Sequence, residues 1–89
     1  MTEREVDPVE LHNAEFLHGL RESDPEADSA ARRVMARVVG AIRVGEIVEA
    51  VGQHGRAFRA VGRLLRNKEL ALVNRERISA DAMVMRRAA

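Results

Sequence analysis

Residues 44–66 read VGEIVEAVGQHGRAFRAVGRLLR, and this stretch decides the fold. Apolar residues recur at helical spacing on both sides of Gly52 and Gly55. Two glycines so close together favour a tight turn, because glycine tolerates positive φ. We therefore predict a short helix over residues 44–52 and a longer helix from about residue 55 or 56 to Lys68. The buried stripe predicted for the longer helix comprises Ala57, Phe58, Val61, Leu64 and Leu65.

Two earlier helices are predicted from their start signals. Asp7 and Asp24 each stand directly before a proline, and an aspartate cap followed by proline is typical of a helix N-terminus. The first helix is predicted to end at about Glu22, and the second at about Arg43. The apolar face predicted for the second helix comprises Ala31, Val34, Met35, Val38, Ala41 and Ile42.

The C-terminal part leaves one alternative open. Residues 70–78 hold a short apolar run, a polar stretch and then Ile78. They fit either a small two-stranded hairpin or a continued helix, and periodicity does not distinguish these for such a short segment. Ser79 is predicted to cap a last helix that ends at Met85 or Arg87.

The charged residues are divided unevenly along the chain, although the net charge is only +1. Residues 1–29 carry nine acidic and two basic side chains, for a net charge of −7. Residues 30–89 carry thirteen basic and five acidic side chains, for a net charge of +8. Such a division indicates either a polyanionic partner for the basic part or mutual neutralisation within the fold or across a dimer.

Four arginines of the longer helix lie at spacings of three, four and three residues, which places them on one side of the helix. They are Arg56, Arg59, Arg63 and Arg66. A helix that presents guanidinium groups opposite its apolar stripe fits the DNA major groove, where arginine contacts phosphates and guanine. Gln53 and His54 lie just before this helix, at the end that usually contacts bases or phosphates. The alternative is a solvated face whose charges pair with Glu46 and Glu49 or with the acids of residues 1–29.

Residues 46–52 resemble the second helix and turn glycine of winged helix-turn-helix regulators, and residues 56–66 fall where that family carries its recognition helix. Residues 67–70 resemble the Lys-Gly-Leu that ends the recognition helix in this family. The resemblance implies a first helix over residues 28–43 and a wing over residues 71–78. It also implies DNA contacts by Gln53, His54, Arg56, Arg59 and Arg63, with Arg75 and Arg77 reaching phosphates or a minor groove.

The expected fold class is all-α or mostly α. We expect a small domain of four to five helices with a helix-turn-helix core and, if residues 70–78 are strands, a short β wing there. An acidic N-terminal helix or arm (residues 1–27) precedes a basic body (residues 28–89). Phe16 and Phe58 are the only aromatic residues, so the core is aliphatic and small, and we expect the chain to gain stability as a homodimer.

Composition and motifs argue against several classes of function. Cysteine is absent, which excludes disulfides and a cysteine nucleophile. The chain has no nucleotide-binding glycine motif and no nucleophile elbow, so we expect neither an enzyme nor a cofactor. Glu15 and His18 have the spacing of a metal-binding pair, but the second pair that such sites need is missing, and we expect no metal. The chain shows no apolar run that could span a bilayer and no leader pattern, so we expect a cytoplasmic location without membrane contact.

The function that these observations favour is binding of double-stranded DNA as a transcriptional regulator, with the four helix arginines as contacts. On this hypothesis, alanine at Arg59 and Arg63 weakens DNA binding without unfolding the domain. The alternative is a helical interaction module, such as an antitoxin, adaptor or inhibitory subunit, acting through its acidic N-terminal helix or its C-terminal helix. An open basic stripe favours DNA, whereas a stripe covered by the acids of residues 1–29 or buried in a dimer favours the alternative.

Overall fold

The computed structural model describes residues 8–20 and 22–87. In this part of the chain four helices combine with three short strands. They are α1 (Pro8–His18), α2 (Pro25–Ala36), β1 (Ala41–Arg43), α3 (Val44–Val51), α4 (His54–Arg66), β2 (Leu70–Leu72) and β3 (Met83–Arg86). The protein is therefore a small, mostly helical domain with a small antiparallel sheet, which agrees with the expected class. The division predicted between residues 27 and 28 falls within α2.

Strand β3 is the central strand of the sheet and pairs antiparallel with both others, in the order β1-β3-β2. Ile42 and Leu72 both lie opposite Val84, which is fully buried. Residues 73–82 form the β2–β3 loop. Two carbonyls of this loop, those of Ala80 and Ala82, accept hydrogen bonds from the first two N–H groups of α3. The sheet thereby joins the start of α3 to the β2–β3 loop.

The hydrophobic core lies between α2, α3, α4 and the sheet, and its side chains are aliphatic. The largest fully buried members are Ile47, Leu64, Val44, Val61 and Val84. Phe58 and Leu65, predicted to be buried in it, are only half-buried at its edge. The reason is that α4 directs Ala57 and Ala60 into the core, which rotates Phe58 and Leu65 to the side. Helix α1 buries no side chain completely and contributes none to this cluster.

The helix ends follow local signals in the sequence. The Asp24 side chain accepts a hydrogen bond from the Ala27 N–H, and Pro25 occupies the first turn of α2, as predicted. Gly52 ends α3 with φ 89°, in the left-handed region where glycine carries no steric penalty. Lys68, two residues after α4, also has a positive φ of 66°.

Several sequence predictions are corrected by the structure. Helix α1 ends at His18, and α2 ends at Ala36, so Ala41 and Ile42 belong to a strand and not to a helix face. The helix predicted after Ser79 is replaced by a turn and then by β3. Residues 70–78 contain one strand, β2, followed by loop. Strands of three or four residues carry too little periodicity to identify, and here pairing with a segment distant in sequence decides the conformation.

Candidate functional site

Helix α4 has a core face and, opposite to it, an outer face. Ala57, Ala60, Val61 and Leu64 belong to the core cluster. The outer face consists of positions spaced by four, three and four residues on the other side of the helix. Its members are Gly55, Arg59, Gly62 and Arg66. The four arginines predicted to share one side of α4 therefore include only two members of the outer face.

Arg63 is buried, with only 5% of its side chain exposed. Its Nε donates hydrogen bonds to Asp28 Oδ1 at 2.9 Å and Oδ2 at 3.2 Å, and its Nη1 donates to the Glu22 carbonyl at 3.3 Å. Its Nη2 lies 2.8 Å from Asp28 Oδ1 but is not aligned for a hydrogen bond. The pair fixes α4 on α2. We therefore withdraw the expectation that alanine at Arg63 leaves the domain folded, because it would strip a largely buried carboxylate of its partner.

Arg56 is a second link between α4 and α2. Its Nε and Nη2 donate to the two carboxylate oxygens of Asp24, each at 2.7 Å, and Nη2 also donates to Glu26 Oε1 at 3.0 Å. Its Nη1 donates to the Gln53 side chain. The hydrogen bonds from Arg56 lower the pKa of Asp24 to about 2, and the same contacts raise the pKa of Arg56. The guanidinium of Arg56 is thus held by acids, although part of it reaches solvent.

Arg66 and Arg59, both on the outer face, have different surroundings. Arg66 Nη1 donates to the carbonyl oxygens of Leu17 and Leu20, at the end of α1 and just after it. Arg59 is exposed and makes no ion pair with the described residues. The expected stripe of four open guanidinium groups is therefore absent from the described structure. Of the two outcomes weighed above, cover by acids of residues 1–29 is the one observed at Arg56 and Arg63.

Helix α1 lies across the outer face of α4. The ring of Phe16 packs against Phe58, with centroids 5.2 Å apart and planes tilted by 51°. Phe16 and Leu20 also cover Gly62. A Cβ built on Gly62 would lie 2.6 Å from Leu20 Cδ1 and 2.8 Å from Phe16 Cε2. Only glycine at this position allows the contact without a shift, so Gly62 sets how closely α1 approaches α4.

Helix α1 also binds the β2–β3 loop. Asn13 Nδ2 donates to the Glu76 carbonyl oxygen at 2.9 Å, and the Ile78 N–H donates to Asn13 Oδ1 at 2.8 Å. This pair of hydrogen bonds brackets position 77 and adjoins position 75, so the loop segment held by α1 is the one that carries Arg75 and Arg77. A single helix therefore contacts both α4 and the part of the loop predicted to reach phosphates.

The remaining predicted residues lie at the surface. Gln53 is the residue before α4, His54 is the first residue of α4, and both side chains are exposed. Arg75 and Arg77 are exposed on the β2–β3 loop. Helix α1 and Leu20, just after it, cover Gly62 on the outer face of α4, and Asn13 of α1 holds the loop backbone at Glu76 and Ile78. These two regions therefore adjoin one surface, the one that α1 covers. Arg56 and Arg63 do not share it, because both point to α2.

Three residues that hold α1 in place were not among the predicted site residues, namely Asn13, Phe16 and Gly62. Gly62 carried a usable signal, because a glycine inside a helical pattern often indicates close approach by another element. Asn13 and Phe16 carried none. An asparagine on a polar face and a phenylalanine in an apolar stripe are compatible with almost any helix packing.

A groove elsewhere on the domain lies between α2 and α3. Its volume is about 570 Å³, and it is lined by Ala30, Arg33, Val34, Arg37, Val38, Ala50 and Val51. Over residues 8–20 and 22–87, no cluster of acids and histidines is arranged to hold a metal ion. None of the described helices is long and apolar enough to cross a membrane. Comparison with models of known families, with curated proteins and with solved structures found no match for this chain.

Proposed function

We propose that this chain is a winged helix-turn-helix protein that binds double-stranded DNA. The observation that carries the proposal is the order of elements α2, β1, α3, α4, β2 and β3, with β3 in the centre of the sheet. The resemblance over residues 28–85 implies the helical part of this order, namely a first helix and then two helices joined by a short turn, and it implies a wing after them. It implied neither β1 nor β3, which the structure adds. On this proposal α4 is the recognition helix and the β2–β3 loop is the wing.

The predicted contact residues divide into three groups by their surroundings. His54 and Arg59 on α4 are exposed and available to base edges or phosphates. Gln53, before α4, is exposed too, but its Oε1 accepts a hydrogen bond from Arg56, which leaves its amide nitrogen for DNA. On this proposal Arg75 and Arg77, both exposed on the loop, contact the flanking backbone. Arg56 and Arg63 orient α4 through the acids of α2 and act as positioning residues. Arg66 is exposed, but its guanidinium donates hydrogen bonds to carbonyls at the end of α1, so it could contact DNA only after leaving them.

The test is fluorescence anisotropy of a labelled mixed-sequence duplex, with the full chain, at several salt concentrations. We expect the logarithm of affinity to fall linearly with the logarithm of salt concentration, with a slope of about 0.9 per phosphate contact. Arg59→Ala should weaken binding by about 1–3 kcal/mol if Arg59 contacts a base, or lower the salt slope by about 1 if it contacts a phosphate.

The matched control for this test is Arg37→Ala. It removes the same charge from an exposed arginine, but one that lines the groove between α2 and α3. It should change affinity only slightly, through long-range electrostatics. Equal losses in the two variants would reduce the binding to non-specific charge attraction. Failure of the wild-type chain to bind duplex even at low salt would refute the proposal.

A second candidate function, a helical interaction module, is favoured by one specific observation. Two of the four arginines on α4 bind acids of the N-terminal part, and a third binds backbone carbonyls there. Under this alternative, the acidic helix α1 binds a protein. The C-terminal helix, the other surface expected for this role, is replaced by β3. The alternative predicts no duplex binding at any salt concentration, and no gain of duplex binding in variants that loosen α1.

A further inference from the structure

We propose that the outer face of α4 and the β2–β3 loop form one interaction surface with two mutually exclusive occupants, helix α1 and a DNA duplex. The second occupant rests on the function proposed above. In the closed form α1 lies on the surface, as observed here. Duplex binds the open form, in which α1 has left it.

Helix α1 makes its contacts on the surface that a duplex would need. Phe16 and Leu20 cover Gly62, the middle of the outer face, and Asn13 holds the loop backbone at Glu76 and Ile78. A duplex that reaches both Arg59 and the loop must pass over the same ground. A Cβ built on Gly62 would already lie 2.6 Å from Leu20 Cδ1, so no second ligand fits between these side chains and α4.

Helix α1 and the residues just after it occupy a guanidinium that could otherwise bind an anion. Arg66 Nη1 donates hydrogen bonds to the Leu17 and Leu20 carbonyls. The Leu17 carbonyl lies in the last turn of α1, where the helix end carries partial negative charge, and the Leu20 carbonyl follows two residues after the helix. Both attract a guanidinium as a phosphate oxygen does. Helix α1 also carries the exposed carboxylates Glu10 and Glu15. In charge, α1 is thus a weak substitute for the phosphate backbone.

Helix α1 is less buried in the domain than the other described helices are. It is the one described helix without a fully buried residue. It lies outside the core cluster, and Leu11 on it is 47% exposed. Segments with few buried contacts open at low cost while the rest of a domain stays folded. Detachment of α1 therefore leaves the packing of α2, α3 and α4 intact.

Helix α1 could lower duplex affinity either by covering the surface or by its negative charge. Separate variants of α1 test these two causes. Asn13→Ala and Phe16→Ala remove the loop contact and the ring contact of α1 without changing any charge. Glu10→Gln with Glu15→Gln removes charge but leaves those contacts. If α1 acts as a cover, Asn13→Ala with Phe16→Ala increases the fraction of molecules in which α1 is detached. Duplex affinity then rises by the same factor, and this gain persists at higher salt. A gain from charge removal alone fades as salt increases.

The experiment compares duplex affinity of the full chain and of the Asn13→Ala/Phe16→Ala double variant by anisotropy. We expect about a tenfold gain for the double variant. The matched control Leu11→Ala, on an exposed side chain of the same helix, should leave affinity unchanged. A second measurement needs no variant: hydrogen exchange of the wild-type chain with saturating duplex should speed up over residues 8–18 and slow down over residues 54–66.

The outcomes separate the two proposals. Duplex binding with equal affinity in wild type and double variant, together with unchanged exchange over residues 8–18, would overturn the cover and leave DNA binding standing. Slower exchange over residues 8–18 with duplex would make α1 part of the DNA interface and would also overturn it. Absence of duplex binding in both proteins at low salt would overturn both proposals.

Discussion

Arg63 and Arg59 lie four residues apart on the same helix and have opposite environments. Arg63 is buried against Asp28, whereas Arg59 is exposed. Arginine suits a buried pair because its planar guanidinium donates several hydrogen bonds in one direction. The helical spacing of the arginines was predictable from the sequence. Their environments were not, because the acids that bind Arg56 and Arg63 reach them only through the packing of α2 on α4.

The buried pair leads to a stability prediction. Arg63→Met should lower the free energy of unfolding by about 3 kcal/mol, because it leaves the Asp28 carboxylate, only 13% exposed, without its partner. Adding Asp28→Leu should restore much of that loss, since an apolar pair needs no desolvated charge. Urea unfolding followed by circular dichroism gives both values, because the chain has no Trp or Tyr to report by fluorescence.

The control for the buried pair is Arg59→Met, which makes the same substitution at an exposed site. It should change the free energy of unfolding by no more than about 0.5 kcal/mol. Similar losses at Arg59 and Arg63 would show that the Asp28 contact contributes nothing specific. A double variant less stable than Arg63→Met alone would show that the pocket does not accept apolar side chains.

Asp24 leads to a prediction about acid stability. Hydrogen bonds from Arg56 hold its folded pKa at about 2, below its ordinary value of 3.8. The unfolded chain therefore binds this proton first as pH falls. The stabilisation from Asp24 is complete above about pH 4 and is lost as pH falls through about 2. Asp24→Asn keeps an N-cap side chain but removes the charge, so it should flatten this part of the stability–pH curve.

The matched control for Asp24 is Asp81→Asn, on an exposed aspartate of the β2–β3 loop. Urea unfolding of both variants and of wild type at several pH values between about 5 and 2 measures the difference. The prediction requires Asp24→Asn to converge with wild type as pH decreases. Parallel curves for Asp24→Asn and wild type would mean that the Arg56 contact does not lower the pKa of Asp24 in solution.

At the scale of elements, α3, α4 and their turn were predictable, whereas the strands were not. The turn at Gly52 and the apolar periodicity on both sides are local signals, and the helices lie within a few residues of their predicted ends. Strands β1 and β3 depend on each other across the chain, through pairs such as Ile42 with Val84. In isolation each segment continues a helical pattern equally well, which is why both were assigned to helices.

The α3–α4 connection leads to a prediction about Gly52. Its φ of 89° is in the left-handed region, and a Cβ there has open space around it. Gly52→Ala should therefore lower the free energy of unfolding by about 1–2 kcal/mol through backbone strain alone. Gly55→Ala is the control, because Gly55 lies in the first turn of α4 without a positive φ and its added Cβ would meet only the flexible end of Arg59, so the substitution should not be destabilising. Equal effects in the two variants would contradict this account of the turn.

At the scale of the molecule, the charge asymmetry is partly neutralised inside the fold. The acids at the start of α2 pair with Arg56 and Arg63, and Arg32 pairs with Glu69 at 2.8 Å. The sequence predicted such neutralisation as one of two alternatives but could not assign the partners. Glu46 and Glu49 were closer to the arginines in sequence, yet they lie on a side of α3 that faces Arg43 and Asp81. The remaining basic groups, Arg59 among them, are what a polyanion would meet.

The expected homodimer leads to the last prediction. The described core cluster is small and aliphatic, so association would add stability that the monomer core lacks. Val39 is 96% exposed and is one apolar side chain that a partner copy could bury. If the folded state is a dimer, Tm rises with protein concentration, by a few degrees for a tenfold increase, because unfolding then releases two chains. Sedimentation of the native chain should give twice the monomer mass of 9.9 kDa. A constant Tm and the monomer mass would contradict the dimer, and with it the two recognition helices about 34 Å apart that a dimeric regulator presents to DNA.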